Sequence, residues 1–232
     1  MNNNVIIACD FESKEVLMNF LKDFEGLNPY LKIGMEMYYK EGPSLVKELK
    51  EKGFKIFLDL KLHDIPNTVK KAMEKLGDLG VDITNVHAQG GYEMMKAARE
   101  GLDNSKFGKD TKLIAVTVLT SINDEVIHNE LLIDEKNSVA DVAKHYASNA
   151  KKAGLDGVVC SAYEAPIMDE LGLISVCPGI RMVGDSSNDQ KRVATPKLAH
   201  ENKATYIVVG RSITKASNPV EAYKKCLEEF NC

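Results

Sequence analysis

Short runs of β-branched and other apolar residues alternate along the chain with longer segments in which apolar residues recur at helical spacing. This alternation is typical of a parallel β-sheet covered by helices. Eight such strand–helix units in 232 residues average about 29 residues each, close to the unit length of a (β/α)8 barrel. We predict strands over residues 5–10, 30–35, 55–62, 82–88, 112–119, 157–162, 174–180 and 206–210.

The pattern therefore predicts an α/β fold, a single (β/α)8 barrel domain over residues 1–232 with its active site at the carboxyl ends of the strands. An open, doubly wound sheet is the alternative, because periodicity does not show whether the first strand pairs with the last. Ser138 and Asn218 are predicted helix caps. Two long polar segments, 121–137 and 181–195, are predicted loops on the side of the active site.

Composition and charge narrow the class of protein. The chain is 44% hydrophobic and 28% charged, as expected for a globular protein, and its net charge of −4 gives no overall attraction to nucleic acid or to an anionic membrane. No basic leader precedes the first strand, and no apolar run approaches the roughly 20 residues that span a bilayer, so we expect a cytoplasmic protein. Five cysteines show no metal-binding or redox spacing and are predicted to be reduced thiols: Cys9, Cys160, Cys177, Cys226 and Cys232.

The segment FLDLKLHDIPNT, residues 57–68, carries the strongest chemical signal. Side chains of a strand alternate between its faces, so Asp59 and Lys61 are expected on the same face, with Asp64 and Thr68 beyond the strand end. Charged residues at the carboxyl end of a barrel strand are more often functional than structural. The alternative is an ordinary ion pair at a strand end.

Lys32 interrupts an otherwise apolar strand, YLKIGM. If the second and third strands are neighbours, Lys32 can reach Asp59, and Lys32, Asp59, Lys61 and Asp64 form a series of alternating charge. Flanking anions favour the ammonium form of Lys61, which suits a proton donor and not a Schiff-base nucleophile. The alternative is a lysine that extends its charged end to solvent at a sheet edge.

Two further groups of residues follow predicted strands. Asp10 ends the first strand and is either a turn residue or a substrate contact. Pro178 to Arg181 follow the seventh strand, and Gly210 and Arg211 follow the eighth, where barrels often bind phosphate. The five histidines lack metal-ligand spacing, and no nucleotide-binding glycine motif follows a strand. These absences favour chemistry performed by side chains.

Taken together, these motifs resemble the orotidine 5'-monophosphate decarboxylase family over the whole chain. The matching segments, in order, are ACDF, LKIGM, DLKLHDIPNT, NVHAQGG, VTVLTS, PGIR with Gln190, and VVGRSIT. The DxKxxDIPNT motif is highly specific. Cys9 and Gln89 depart from the family pattern, where leucine and alanine are commoner, without changing a charged position.

The resemblance implies a homodimeric barrel that converts orotidine monophosphate to uridine monophosphate and carbon dioxide, the last step of pyrimidine nucleotide synthesis, without cofactor. It implies that Lys61 protonates the sixth ring carbon, that Asp59 lies against the substrate carboxylate and that Lys32 bridges Asp59 and the ribose. Further implied contacts are Asp10 to the ribose, Thr120 to the pyrimidine edge, Arg181, Gln190, Gly210 and Arg211 to the phosphate end, and Asp64, Ile65 and Thr68 to the site of the partner subunit.

Two other functions remain open at this stage. Related barrels that act on sugar phosphates with magnesium carry a similar DxKxxD motif, although the DIPNT continuation favours the pyrimidine enzyme. A barrel that binds a nucleotide without catalysis is the second alternative. The intact charged residues speak against it, because a binder of an anionic ligand gains nothing from two extra carboxylates.

Overall fold

The computed structural model describes residues 4–185 and 192–232, and in this part of the chain eight parallel strands form a closed barrel. The first strand pairs with the last, with Val5 opposite Ile207 and Ile7 opposite Val209. This closure confirms the barrel and excludes the open sheet. The strands are β1 (Val5–Ala8), β2 (Tyr30–Gly34), β3 (Ile56–Leu62), β4 (Ile83–His87), β5 (Lys112–Val116), β6 (Gly157–Val159), β7 (Ile174–Cys177) and β8 (Tyr206–Val209).

Helices cover the outside of this barrel, and they begin at residues suited to helix N-termini. Ser138 and Asn218 cap their helices as predicted: Ser138 forms a capping box with Asp141, which was not predicted, and the Asn218 side chain accepts the backbone N–H of Glu221. The helices are α1 (Lys14–Lys22), α2 (Met35–Glu51), α3 (Pro66–Gly77), α4 (Gly91–Asp103), α5 (Asp124–Asn129), α6 (Val139–Lys152), α7 (Ala165–Glu170), α8 (Pro196–Glu201), α9 (Arg211–Thr214) and α10 (Pro219–Asn231).

Two expectations about segment boundaries were wrong. Strands β1, β5, β6 and β7 end earlier than predicted, because apolar residues that follow them pack in the loops at the barrel mouth instead of extending the sheet. The segment 121–137 is not a continuous loop, because it contains α5. Asn123 caps this helix by accepting the backbone N–H of Val126, and two acidic residues occupy its first turn.

The inside of the barrel is layered, and this layering creates the site. One cluster of apolar and aromatic side chains fills the interior below the cavity and reaches its floor: Ile6, Ala8, Tyr30, Phe57, Ile83, Ile114, Val176 and Val208. Of these, Ala8, Phe57, Val176 and Val208 also line the cavity. Two residues further along, the inward position becomes polar on three successive strands, where Lys32 follows Tyr30, Asp59 follows Phe57 and Asn85 follows Ile83. The core therefore closes the bottom of the barrel and leaves charged groups at its mouth.

Candidate active site

A cavity of about 530 Å³ opens at the carboxyl ends of the strands. Its two walls differ in chemistry. Charged residues on β2 and β3 and just beyond β1 form one wall, whereas valines of β5 to β8 form the other. The apolar wall consists of Val116, Val159, Val176 and Val208, together with Val118 beyond the end of β5. A ligand bound here contacts charge on one side and hydrocarbon on the other.

Four charged side chains form an alternating series along the polar wall. Lys32 Nζ lies 3.1 Å from Asp10 Oδ1 and 3.6 Å from Asp59 Oδ2. Lys61 Nζ lies 2.7 Å from Asp59 Oδ1. The predicted approach of Lys32 to Asp59 is confirmed, because β2 and β3 are neighbours. Within one chain Asp10 also joins the series, which runs Asp10, Lys32, Asp59, Lys61, and the part played by Asp64 stays a prediction.

Burial and charge act in opposite directions on the two central members of this series. Burial by itself would raise the pKa of Asp59, but the charges of Lys32 and Lys61 and hydrogen bonds from Lys61 and Asn85 outweigh it, so the pKa lies below its ordinary value. Burial by itself would lower the pKa of Lys32, but Asp59 and Asp10 outweigh it and the pKa is raised. Both groups therefore remain ionised near neutral pH.

Asn85 was not predicted as a site residue, and it holds Asp59 and Lys61 together. Its side-chain N–H group donates to Asp59 Oδ1 at 2.7 Å, and its side-chain oxygen accepts the backbone N–H of Lys61 at 2.8 Å. It is fully buried. A polar residue at an inward strand position, in ITNVH, is the sequence signal that could have identified it.

The backbone at Lys61 is irregular, so the predicted strand alternation does not explain where its side chain lies. From Leu58 to Leu62 the β3 chain advances four residues while β4 advances two, from Thr84 to Val86. Lys61 itself has φ of 53°, a left-handed conformation unfavourable for a residue with a side chain. A bulge, and not simple strand alternation, therefore directs Lys61 toward Asp59.

The end of the cavity that adjoins β7 and β8 carries the residues predicted to bind phosphate. Pro178, Arg181, Gly210 and Arg211 all line it, and Thr120, which follows β5, also lines the cavity. Lys215 lines the same end and was not predicted. The signal for Lys215 was a cation four residues after Arg211, about one helical turn further along. This end of the cavity is consequently rich in positive charge and suited to a phosphate group.

The remaining predicted site residues lie elsewhere. Asp64, Ile65 and Thr68 are exposed at the start of α3, outside the lining of this cavity, and Asp64 Oδ1 accepts the backbone N–H of Ile65 at 2.7 Å. Their proposed contact with a partner subunit stays a prediction. Gln190 lies outside the described residues.

The histidines and cysteines add little to the site. The pKa of His87, at the end of β4, is lowered. Burial is the largest cause, and the charges of His63 and Lys61 lower it further. Cys9, Cys160, Cys177 and Cys226 are buried thiols, and all five cysteines are unbridged. In residues 4–185 and 192–232, no three His, Cys, Asp or Glu residues are grouped to hold a metal ion. In the same residues, no helix combines the length and apolar character needed to cross a membrane.

Comparisons with known proteins agree with this geometry. The model of the "Orotidine 5'-phosphate decarboxylase / HUMPS family" matches residues 3–226. The chain is 52% identical to the orotidine 5'-phosphate decarboxylase of Bacillus cereus (strain Q1), over 99% of this chain and 98% of that protein.

Two solved structures are also similar. Orotidine 5'-phosphate decarboxylase from Lactobacillus acidophilus has a TM-score of 0.86 and 41% identity, over 98% of this chain and 99% of that chain. An uncharacterized conserved protein from Geobacillus kaustophilus has a TM-score of 0.85 and 44% identity, over 98% of this chain and 100% of that chain.

Proposed function

The chain belongs to the orotidine 5'-phosphate decarboxylase / HUMPS family, and on that premise we propose that it converts orotidine 5'-monophosphate to uridine 5'-monophosphate and carbon dioxide, the last step of pyrimidine nucleotide synthesis. The observation that carries the proposal is the contact of Lys61 Nζ with Asp59 Oδ1 at 2.7 Å, inside a cavity whose other end is cationic. In this proposal the Lys61 ammonium group lies beside the nucleobase, while the phosphate of the same nucleotide binds at the cationic end of the cavity.

In the proposed mechanism, the bond between the sixth ring carbon and the carboxylate breaks, and carbon dioxide leaves. The bonding electron pair stays on the ring carbon. Lys61 then donates a proton to that carbon, which gives the product, and the neutral amine recovers a proton from solvent. Lys61 serves as general acid, and its positive charge also stabilises the carbanion that forms.

Repulsion between Asp59 and the substrate carboxylate is too weak to account for catalysis alone. Two like charges about 4 Å apart interact by about 4 kcal/mol at an effective dielectric near 20, whereas enzymes commonly lower barriers by roughly 8 to 23 kcal/mol. The charge of Asp59 is moreover partly neutralised by Lys32 and Lys61, and Asp59 also accepts a hydrogen bond from Asn85. Fixed stabilisation of the carbanion by the Lys61 ammonium is therefore the larger contribution in this proposal.

The other cavity residues take the roles that the family resemblance suggests. Asp10 and Lys32 contact the ribose, Thr120 the pyrimidine edge, and Arg181, Gly210 and Arg211 the phosphate, with Pro178 shaping the loop before Arg181. Gln190, outside the described residues, is also proposed to bind the phosphate. Binding energy from the phosphate end offsets the cost of placing the substrate carboxylate next to Asp59.

The proposal extends to assembly and location. We propose that residues 1–232 form one domain, that the protein is a cytoplasmic homodimer, and that Asp64, Ile65 and Thr68 complete the site of the partner subunit. Ile65 is 67% exposed, so its side chain is accessible for a contact with another subunit. The reaction is proposed to need no cofactor.

An ultraviolet assay of orotidine 5'-monophosphate loss, with metal-stripped protein and with or without chelator, tests the function. Turnover that is unaffected by chelator supports the proposal. Turnover of a sugar phosphate that requires magnesium would instead support the other branch of the family. Calorimetric binding of uridine 5'-monophosphate without orotidylate turnover would identify a nucleotide-binding barrel.

A further inference from the structure

A buried ion pair connects three loops at the mouth of the barrel. The guanidinium of Arg192 contacts Glu164 Oε1, and the Glu164 side chain is only 4% exposed. Glu164 Oε2 in turn accepts the backbone N–H of Ser161 at 2.7 Å. Ser161 and Glu164 lie just beyond β6, whereas Arg192 comes from the segment that follows β7. The ion pair of Arg192 and Glu164 therefore joins two loops that are separate in sequence.

The second terminal nitrogen of Arg192 faces the loop after β5. Its Nη2 lies 3.5 Å from the carbonyl oxygen of Val118 and 3.4 Å from that of Leu119. Val118, Leu119 and Thr120 line the cavity, whereas Arg192 does not. The guanidinium therefore contacts a loop whose other side lines the cavity.

The residues next to Arg192 contact the loop after β7. Ala194 donates its backbone N–H to Gly179 O at 3.2 Å and accepts the backbone N–H of Arg181 at 2.9 Å. Tyr163 Oη donates to Val193 O at 3.1 Å. Movement of the chain at Arg192 would thus be transmitted to Gly179 and Arg181, which line the phosphate end of the cavity.

We propose that Arg192, paired with Glu164, is a positioning residue that sets the separation between Thr120 and Arg181, and so between the base and phosphate ends of the site. This inference rests on the proposed function. A guanidinium suits the role because its planar group donates in several fixed directions at once, which lysine does not match. The carboxylate of Glu164 compensates the buried charge, and removing either partner leaves the other uncompensated.

A purely structural role for Arg192 predicts lower stability without a specific loss of kcat/KM. Arg99 is a matched control for that alternative. Arg99 pairs with Asp156 and Asp103, and its side chain is 16% exposed compared with 18% for Arg192. In the described part of the chain, the Nε atoms of Arg99 and Arg192 are both buried without a hydrogen-bond partner. Asp156 accepts the backbone N–H of Leu113 near the start of β5, so Arg99 stabilises the barrel end opposite the cavity.

The test compares wild type with Arg192→Ala, Arg192→Lys, Glu164→Gln and Arg99→Ala, at a temperature where circular dichroism shows each to be folded. Steady-state kinetics with orotidine 5'-monophosphate and calorimetry with uridine 5'-monophosphate are measured for each. We expect Arg192→Ala to lower kcat/KM on the order of 100-fold, because small displacements of substrate-positioning groups have effects of that size. Arg99→Ala should lower thermal stability and leave kcat/KM within about threefold of wild type.

Chemical rescue separates positioning from general destabilisation. Added guanidinium ion should partly restore kcat/KM in Arg192→Ala and have no such effect on Arg99→Ala, and Arg192→Lys should stay well below wild type. A loss in Arg192→Ala no larger than that in Arg99→Ala, or a loss that guanidinium does not reduce, would overturn the proposal.

Two further arms keep the test decisive. If Arg192→Ala does not fold, Glu164→Gln decides, since it keeps the size of the side chain and one accepting oxygen and removes the charge and the second acceptor. A loss of kcat/KM of about tenfold or more in that variant supports positioning, and a wild-type value contradicts it. Failure of the proposed function is a separate result, because the wild-type protein would then show no turnover at all.

Discussion

The backbone N–H of Lys61 donates a hydrogen bond of 2.8 Å to the side-chain oxygen of Asn85, which lies 24 positions further along the chain on the neighbouring strand. A backbone N–H can only donate and an ionised carboxylate can only accept, so the contacts with Lys61 and Asp59 fix which way the Asn85 amide faces. The left-handed backbone at Lys61 costs roughly 1–2 kcal/mol, and this hydrogen bond helps to offset it. One amide therefore positions both the proposed proton donor and its neighbouring carboxylate.

Replacing Asn85 with alanine should weaken both stability and turnover. The change leaves a buried N–H unpaired and removes one hydrogen bond from Asp59, so we expect a loss of about 1–3 kcal/mol in the free energy of unfolding. Misplacement of Lys61 should lower kcat on the order of tenfold to a hundredfold. Urea unfolding and orotidylate kinetics measure the two effects.

The adjacent residue provides the control for Asn85→Ala. Thr84 is equally buried, but its hydroxyl donates to Leu58 O at 3.2 Å, away from the charged series. Thr84→Val should cost about 1 kcal/mol of stability and leave kcat unchanged. Equal kinetic losses in both variants would mean that Asn85 has no particular role in placing Lys61.

Lys61→Ala should abolish decarboxylation and preserve folding. The substitution removes the proposed proton donor and the positive charge that stabilises the carbanion. Uridine 5'-monophosphate should still bind, because the cations at the phosphate end are unchanged. Calorimetry and the ultraviolet assay together give the answer, and near-normal turnover would eliminate the proposed role of Lys61.

Composite sites can be tested by exchange of subunits between two inactive dimers, Lys61→Ala and Asp64→Ala. If Asp64 acts in the site of the partner, each mixed dimer has one intact site and one doubly altered site. Activity should then recover to at most about a quarter of wild type after free exchange. Exchange is verified with subunits of different mass tags, and its occurrence without recovery would show that each chain works alone.

The charged series should make stability depend on pH at both extremes. The lowered pKa of Asp59 gives a contribution that is present above its ordinary value of 3.8 and is lost as the pH falls through the folded-state pKa. The raised pKa of Lys32 gives a contribution that is present below its ordinary value of 10.5 and is lost as the pH rises through the folded-state pKa. Between these limits the contribution of the series should be constant.

Urea unfolding of wild type and Asp59→Asn, from about pH 7 to about pH 3, measures the acidic limb. The difference in unfolding free energy between the two proteins should be constant down to about pH 4. Below that pH, wild type should lose stability relative to Asp59→Asn. The exposed Asp110→Asn is the control, whose difference from wild type should stay small throughout. A difference independent of pH for Asp59→Asn would contradict the assignment.

Much of the fold and most of the site follow from the order of residues alone. Alternating strand and helix patterns predict the barrel, and the positions of Lys32, Asp59, Arg181 and Arg211 after or near strand ends predict a common mouth. These predictions succeed because side-chain alternation and helical period are local consequences of backbone geometry.

Only the tertiary structure decided how the strands close and which groups meet. The pairing of β1 with β8, the bulge that directs Lys61, the contact of Asn85 with Asp59, and the ion pair between Arg192 and Glu164 join residues distant in sequence. Such contacts depend on strand register and loop paths, which are settled by packing of the whole core and not by any one segment. The residue types at the strand ends determined which chemical groups the site contains, and the strand register determined how those groups are arranged.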